Sequence, residues 1–365
     1  MPAASDSASD FALPALDLRV LARRAAVPAA FAVAAGAALV VAGGPLRAFA
    51  HAFARALDAD PRWVGAAAVF EVLSFAGYVA LLWLVGGRAT ARMGPRESLQ
   101  VTLGGAAATR LLPTAGVGGA ALTLWALRRT GIGARRATRT LFAFLVVLYA
   151  VFLTAIAVSG ALVALRGGPL ALGLVPAVAA VAMIVAALAI AGWSRASDVL
   201  VRGTRGRVAD GAAVFGAGVR DAVAVVRSGD VRLLGAIAWW AFDAAVLWAM
   251  LEAFGAPPSL AALALAYFVG QVGNTIPIPG AVSGGIVGAL VALSVPADLA
   301  LVSVLAYRCV AIWLPAPVGL AALGGLRRTV AGWSREDAVV PAAAASAPRE
   351  LCPRRAPECE LRLAA

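Results

Sequence analysis

The 365-residue sequence contains no lysine, a single histidine and three cysteines, and only 14% of its residues are charged. With His51 as the sole histidine, histidine-based metal sites and Ser/His or Cys/His catalytic pairs are removed. Cys309 falls in an apolar run and Cys352 and Cys359 in a Pro/Arg-rich tail, so neither a metal-ligand spacing nor a disulfide framework emerges. There is no acidic metal cluster and no phosphate-binding loop closed by lysine. The expectation is no catalytic residue, no metal, no cofactor and no enzyme.

What fills the sequence instead is apolar surface. Hydrophobic residues make up 62% of the chain and the mean hydropathy is +0.89, whereas soluble domains sit near half apolar and a quarter charged. No soluble fold of this length hides that much. The formal charge of +12 comes entirely from arginine on the basic side. These arginines lie in short clusters between long apolar runs, which reads as membrane topology and excludes a nucleic-acid partner. The alanine-rich, lysine-free composition suits a GC-rich bacterial genome.

Apolar segments long enough to cross about 30 Å of hydrocarbon occupy residues 25–44, 63–86, 140–165, 169–193, 232–254 and 299–325. An alternative for the first is a signal peptide, since Arg23 and Arg24 precede it and Ala48, Phe49, Ala50 resemble a cleavage site; its length favours a retained helix. Two further segments, 98–127 and 259–295, are interrupted by Pro and Gly. The first break runs LPTAGVGG from Leu112 to Gly119 and the second PIPGAVSGG from Pro277 to Gly285. Each predicts a helix, a break and a second helix. The fold class is therefore all-α and polytopic, with about six spanning helices plus two re-entrant hairpins.

Arginine counts orient the loops. Residues 128–139 carry five Arg and no acid, residues 195–232 carry seven Arg, and Arg327 and Arg328 close the last span. All three belong on the cytoplasmic side, with both chain termini, in a bacterial inner membrane. The basic linker 195–232 also suits anionic headgroups at that surface, although topology alone explains it equally well.

The order span, interfacial helix, span, hairpin, span then occurs twice with opposite orientation, over 25–165 and 169–325. In both hairpins a proline, Pro113 or Pro279, stands five residues before a glycine pair, Gly118 with Gly119 or Gly284 with Gly285. Inverted repeats broken at matching places point to a transporter-like site near the bilayer midplane. Frequent Gly and Pro in membrane helices is the plainer explanation. The domain plan is a cytoplasmic lead-in over 1–24, a membrane domain over 25–328 and a disordered cytoplasmic tail over 329–365.

The runs LLPTAGVGGAALTLWALRRTG from Leu111 and NTIPIPGAVSGGIVGALVAL from Asn274, with the ending that holds Tyr307, Arg308, Trp313, Pro315 and Gly319, resemble the lysylphosphatidylglycerol synthase transmembrane family, also called flippase-like proteins. The resemblance covers roughly residues 25–328. It implies a lipid-translocating domain, here as a stand-alone member without the aminoacyltransferase domain attached in the best-known relatives. Relatives carry a fuller Pro-Gly-Gly stretch followed by glutamate; in this chain Pro279 and Gly280 lead directly into Ala281 and Val282, and Ser283 takes the acidic place. A cationic lipid is accordingly not the expected cargo.

Ionisable groups at a span centre cost about 2.5–3.5 kcal/mol each on insertion scales, so each needs a partner or a task. Arg110 and Arg308 are the candidates for holding a lipid phosphate, because guanidinium offers paired hydrogen bonds to it. Backbone amides near Gly116–Gly119 and Gly280–Gly285 are candidate additional donors. Glu71 and Asp243, on corresponding spans, either orient those arginines, take up a coupling proton, or simply pair structurally. The functional expectation is translocation or handling of a phospholipid or polyprenyl-linked lipid, with membrane lipids as partners. A scaffold for a membrane lipid or glycan enzyme and a small-solute transporter are the alternatives.

Overall fold

The computed structural model describes residues 59–111, 117–200, 207–255, 257–276, 278 and 280–346. The expected first span, 25–44, with its interfacial linker lies outside the described residues, as do Pro113 and Pro279. The described residues form helices and no strand. Five segments among them are long and apolar enough to cross a membrane: Pro61–Ala89, Ala134–Leu165, Leu170–Ser194, Val231–Phe254 and Ala297–Asp337.

Helix α1 (Pro61–Ala89) begins where Asp60 caps the amide of Arg62 at 2.9 Å and proline occupies the first turn, where its missing N–H costs nothing. α2 (Pro95–Leu111) and α3 (Val117–Arg129) are the arms of the first hairpin, and α4 (Ala134–Leu165) follows. α5 (Leu170–Leu200) leads to the amphipathic α6 (Arg207–Arg227) and, through a 3-10 turn at Val231–Leu233, to α7 (Leu234–Phe254). At that turn Asp230 accepts from the Arg232 amide and pairs with its guanidinium, which holds the carboxyl at about 2. The second hairpin is α8 (Leu260–Gln271) and α9 (Ala281–Ala292), followed by α10 (Ala297–Trp313) and α11 (Pro315–Ser346).

In hydrocarbon, apolar side chains gain nothing by leaving lipid, so helices associate through close van der Waals packing at small residues. α1 and α7 show this. Trp63 meets Trp248, Phe70 meets Phe242, and Gly77 meets Gly235, so the two helices run antiparallel. A Cβ on Gly77 would stand 2.7 Å from the Gly235 carbonyl oxygen. Gly160 on α4 and Gly173 on α5 approach in the same manner. By contrast α5 leaves Val175, Val178, Val181 and Val185 exposed, a face suited to lipid.

Both hairpins close on a glycine pair. Gly105 of α2 lies against Gly119 of α3, where a Cβ added to Gly105 would come 3.3 Å from Gly119 Cα; Gly270 of α8 lies against Gly285 of α9, where a Cβ added to Gly285 would come 3.1 Å from Gly270 Cα. The first arms reach across: α8 packs on α4, the last helix of the first half, and α2 packs on α11, at the end of the second. α1 and α7 are thus antiparallel at the centre, with the two hairpins packed on α11 and α4.

Two expectations need correction. The segment 299–325 lies within the single apolar span Ala297–Asp337, but not as one unbroken hydrogen-bond ladder: α10 ends at Trp313 and α11 begins at Pro315, which supplies no N–H, while Leu314 between them keeps helical dihedrals. α10 then packs on α7 and α9 while α11 packs on α2. Helix also continues past residue 329, where a disordered tail was expected, as far as Ser346. Alanine favours helix there, and Arg92 fixes the extension by pairing with Asp337 at 2.6 and 3.0 Å.

Candidate functional site

A cluster of hydrogen-bonded polar side chains lies in the core where α8 meets α7 and α10. α8 has the sequence LAALALAYFVGQ, and within it Tyr267 and Gln271 are one turn apart and therefore on one face. Tyr307 reaches the same place from α10 and Asp243 from α7. Asp243 is 4% exposed, and Tyr267 and Tyr307 are 0% and 1% exposed. Tyr307 donates its hydroxyl to Asp243 Oδ2 at 2.8 Å, and Tyr267 donates to the same oxygen. Gln271 Nε2 donates at 3.1 Å to the Tyr307 hydroxyl and, more weakly at 3.4 Å, to Oδ2.

Asp243 Oδ1 is also buried and finds no hydrogen-bond partner among the described residues. Every donor thus converges on one carboxylate oxygen and leaves the other open. In a low-dielectric interior such an atom is costly unless it carries a proton or meets a ligand donor. The chemistry on offer at this oxygen is receiving a hydrogen bond from a bound molecule. Among the described residues there is no cluster of groups fit to hold a metal ion.

The candidates read from sequence fall into distinct places. Glu71 is 1% exposed on α1, one residue beyond the Phe70–Phe242 contact. Arg308 is half-buried on α10, next to Tyr307 but turned from it by one helical step, and it forms no ion pair among the described residues. Asp243 therefore bonds to two tyrosines and a glutamine and not to Arg308. Arg110 belongs to the last turn of α2, and its side chain lies outside the described residues.

Gly118 and Gly119 lie in the first turn of α3, and Gly284 and Gly285 in the first turns of α9. Two of the amides expected to be free are committed. Gly119 N–H donates to Thr109 Oγ1 at 2.8 Å, and Gly284 N–H to the Gly280 carbonyl at 2.8 Å. Gly119 and Gly285 pack against the other arm, whereas nothing stands within 4 Å of a Cβ on Gly284. Gly280 does need glycine, since its φ of +84° is the left-handed conformation from which α9 starts.

Sequence reasoning missed Tyr267, Gln271 and Thr109. A signal existed for the first two, as the polar pair at one-turn spacing in an otherwise apolar arm. Thr109 carried none, because its partner comes from the other arm.

Among known families, the model described as lysylphosphatidylglycerol synthase TM region matches residues 23–319. A comparison with curated proteins gave no match.

Proposed function

The chain belongs to the lysylphosphatidylglycerol synthase transmembrane family, and on that premise we propose that this multi-pass membrane protein translocates a phospholipid or polyprenyl-linked lipid across a bacterial inner membrane. The observation that carries the reading is the Asp243 cluster: a buried carboxylate with one open oxygen, held where a hairpin crosses from one half of the molecule onto the other. A lipid headgroup crossing hydrocarbon needs polar groups at depth, and helices that are interrupted there are the usual way to provide them.

In this reading Arg308, beside the cluster, attracts the lipid phosphate, and Arg110 does so from the end of α2. Gly119 and Gly285, each against a glycine of the other arm, give the hairpins their tight crossings, and Gly280, Gly284 and Gly118 leave room beside the breaks for the cargo. Asp243 and Glu71 exchange a proton or position the cargo. The protein acts without catalysing a covalent step, its termini are cytoplasmic, and it works alone or beside an enzyme that makes its lipid.

The test is reconstitution of the purified chain in liposomes with headgroup-labelled phospholipid. Protein should accelerate translocation, and Arg308→Ala should slow it about tenfold, the loss of one charge-assisted phosphate contact, without changing the amount of folded protein. Wild-type rates in Arg308→Ala would remove that residue from the mechanism. Rates equal to protein-free liposomes would favour a scaffold.

A further inference from the structure

A cavity of about 760 Å³ lies far from the Asp243 cluster in the fold, between the end of α1, the start of α4 and the middle of α6. Five arginines line it, Arg88, Arg135, Arg136, Arg139 and Arg220, against one acid, Asp221. That acid is already taken by a two-pronged ion pair with Arg139. Arg220 is held by the Ala191 carbonyl at 2.9 Å and Ser194 Oγ at 2.8 Å, which fastens α6 to α5. Arg88, Arg135 and Arg136 are exposed and form no ion pair among the described residues.

Local rules are broken here in one direction. The first turn of α4 has no acidic residue, and its Gly133 cap offers no side-chain oxygen to the leading amides. Two arginines stand in that turn, where the helix dipole already places positive charge. Sequence that conflicts with local preference marks a functional position when nothing else compensates. An anion bound at this turn would supply that compensation. The same three helices also line the cavity with Val85, Ala143 and Val225, so apolar surface stands beside the charged groups. The cavity's size falls within the range of ligand pockets.

The geometry points to a binding site for an anionic amphiphile: a phosphate-bearing lipid headgroup held by Arg88, Arg135 and Arg136, with the start of its chains against that apolar surface. The arginine clusters put the cavity at the surface that the charge pattern assigns to the cytoplasm. The ligand class rests on the reading of the chain as a lipid-handling protein. The site itself is separate from the proposed translocation cluster, and it is tested by binding, so its failure leaves translocation untouched.

The full-length protein in neutral detergent is titrated with phosphatidylglycerol, phosphatidylcholine or inorganic phosphate at fixed ionic strength, and thermal unfolding is followed by tryptophan fluorescence. Phosphatidylglycerol should raise the melting temperature and the other two should not. The Arg88→Gln/Arg135→Gln/Arg136→Gln variant should need about tenfold more phosphatidylglycerol for the same rise, with Arg135→Gln alone showing a smaller shift in the same direction should the triple variant unfold. Arg327→Gln/Arg328→Gln, which removes charge elsewhere, should titrate like wild type. An unchanged titration in the cavity variants, an equal loss in the Arg327/Arg328 variant, or the same rise from inorganic phosphate each overturns the assignment.

Discussion

Phe70 of α1 stacks on Phe242 of α7 with ring centroids 6.0 Å apart and 23° between planes, and each ring is followed directly by a buried acid, Glu71 or Asp243. Moving away from this contact in opposite directions leads to the Trp63–Trp248 pair on one side and the Gly77–Gly235 approach on the other. The relation fixes the antiparallel register of α1 and α7 and sets the two acids on either side of its centre.

That register depends on the absence of side chains at Gly77 and Gly235, because backbone carbonyls oppose both. Gly235→Ala should destabilise the protein by about 1–3 kcal/mol, the usual cost of overpacking, and more if neither backbone can shift. Gly288→Ala, with open space around the added methyl, should fall within about 0.5 kcal/mol of wild type. Thermal unfolding in detergent compares the two.

The hairpin glycines divide in the same way. A Cβ on Gly270 would stand 2.6 Å from the Ile286 amide nitrogen, whereas nothing lies within 4 Å of one on Gly284. Gly270→Ala should lower folded yield and melting temperature, while Gly284→Ala should change neither. Fluorescence-detected size exclusion on both variants reads this directly.

How much of this was legible in the sequence depends on where each partner lies. The spans that became α1, α4, α5 and α7 declare themselves by run length, and the breaks at Leu112–Gly119 and Pro277–Gly285 by their Gly and Pro. The break at Pro315 is hidden because apolar residues continue on both sides of it, and hydropathy does not register a missing N–H. The extension of α11 to Ser346 is hidden too, since its docking rests on Arg92 pairing with Asp337, 245 residues away. For the site, burial cost singles out Asp243 as a residue. Its partners stand 24, 28 and 64 positions along the chain, and only the packing of α8 and α10 against α7 brings them in. The sequence reading offered arginine as the partner of these acids; the fold supplies tyrosine and glutamine to Asp243.

Asp243→Asn keeps an oxygen to accept from Tyr267 and Tyr307, so the fold should survive with little loss. Asp243→Ala leaves those donors buried and unmatched, and should cost about 1–3 kcal/mol. Tyr307→Phe removes one donor and should cost about 1 kcal/mol. If Asp243→Asn unfolds the protein as severely as Asp243→Ala, the carboxylate is needed for structure and its open oxygen loses its significance.

The central claim, lipid translocation that uses the Asp243 cluster, is tested most directly by one measurement. Wild-type and Asp243→Asn proteins are reconstituted at equal density, and chemical quenching of headgroup-labelled phosphatidylglycerol, phosphatidylethanolamine and a polyprenyl phosphate follows inner-leaflet lipid reaching the outside. The account predicts that wild type accelerates at least one of these above protein-free liposomes and that Asp243→Asn is folded but markedly slower. Rates equal to protein-free liposomes for all three lipids, or an Asp243→Asn variant as fast as wild type, would contradict it.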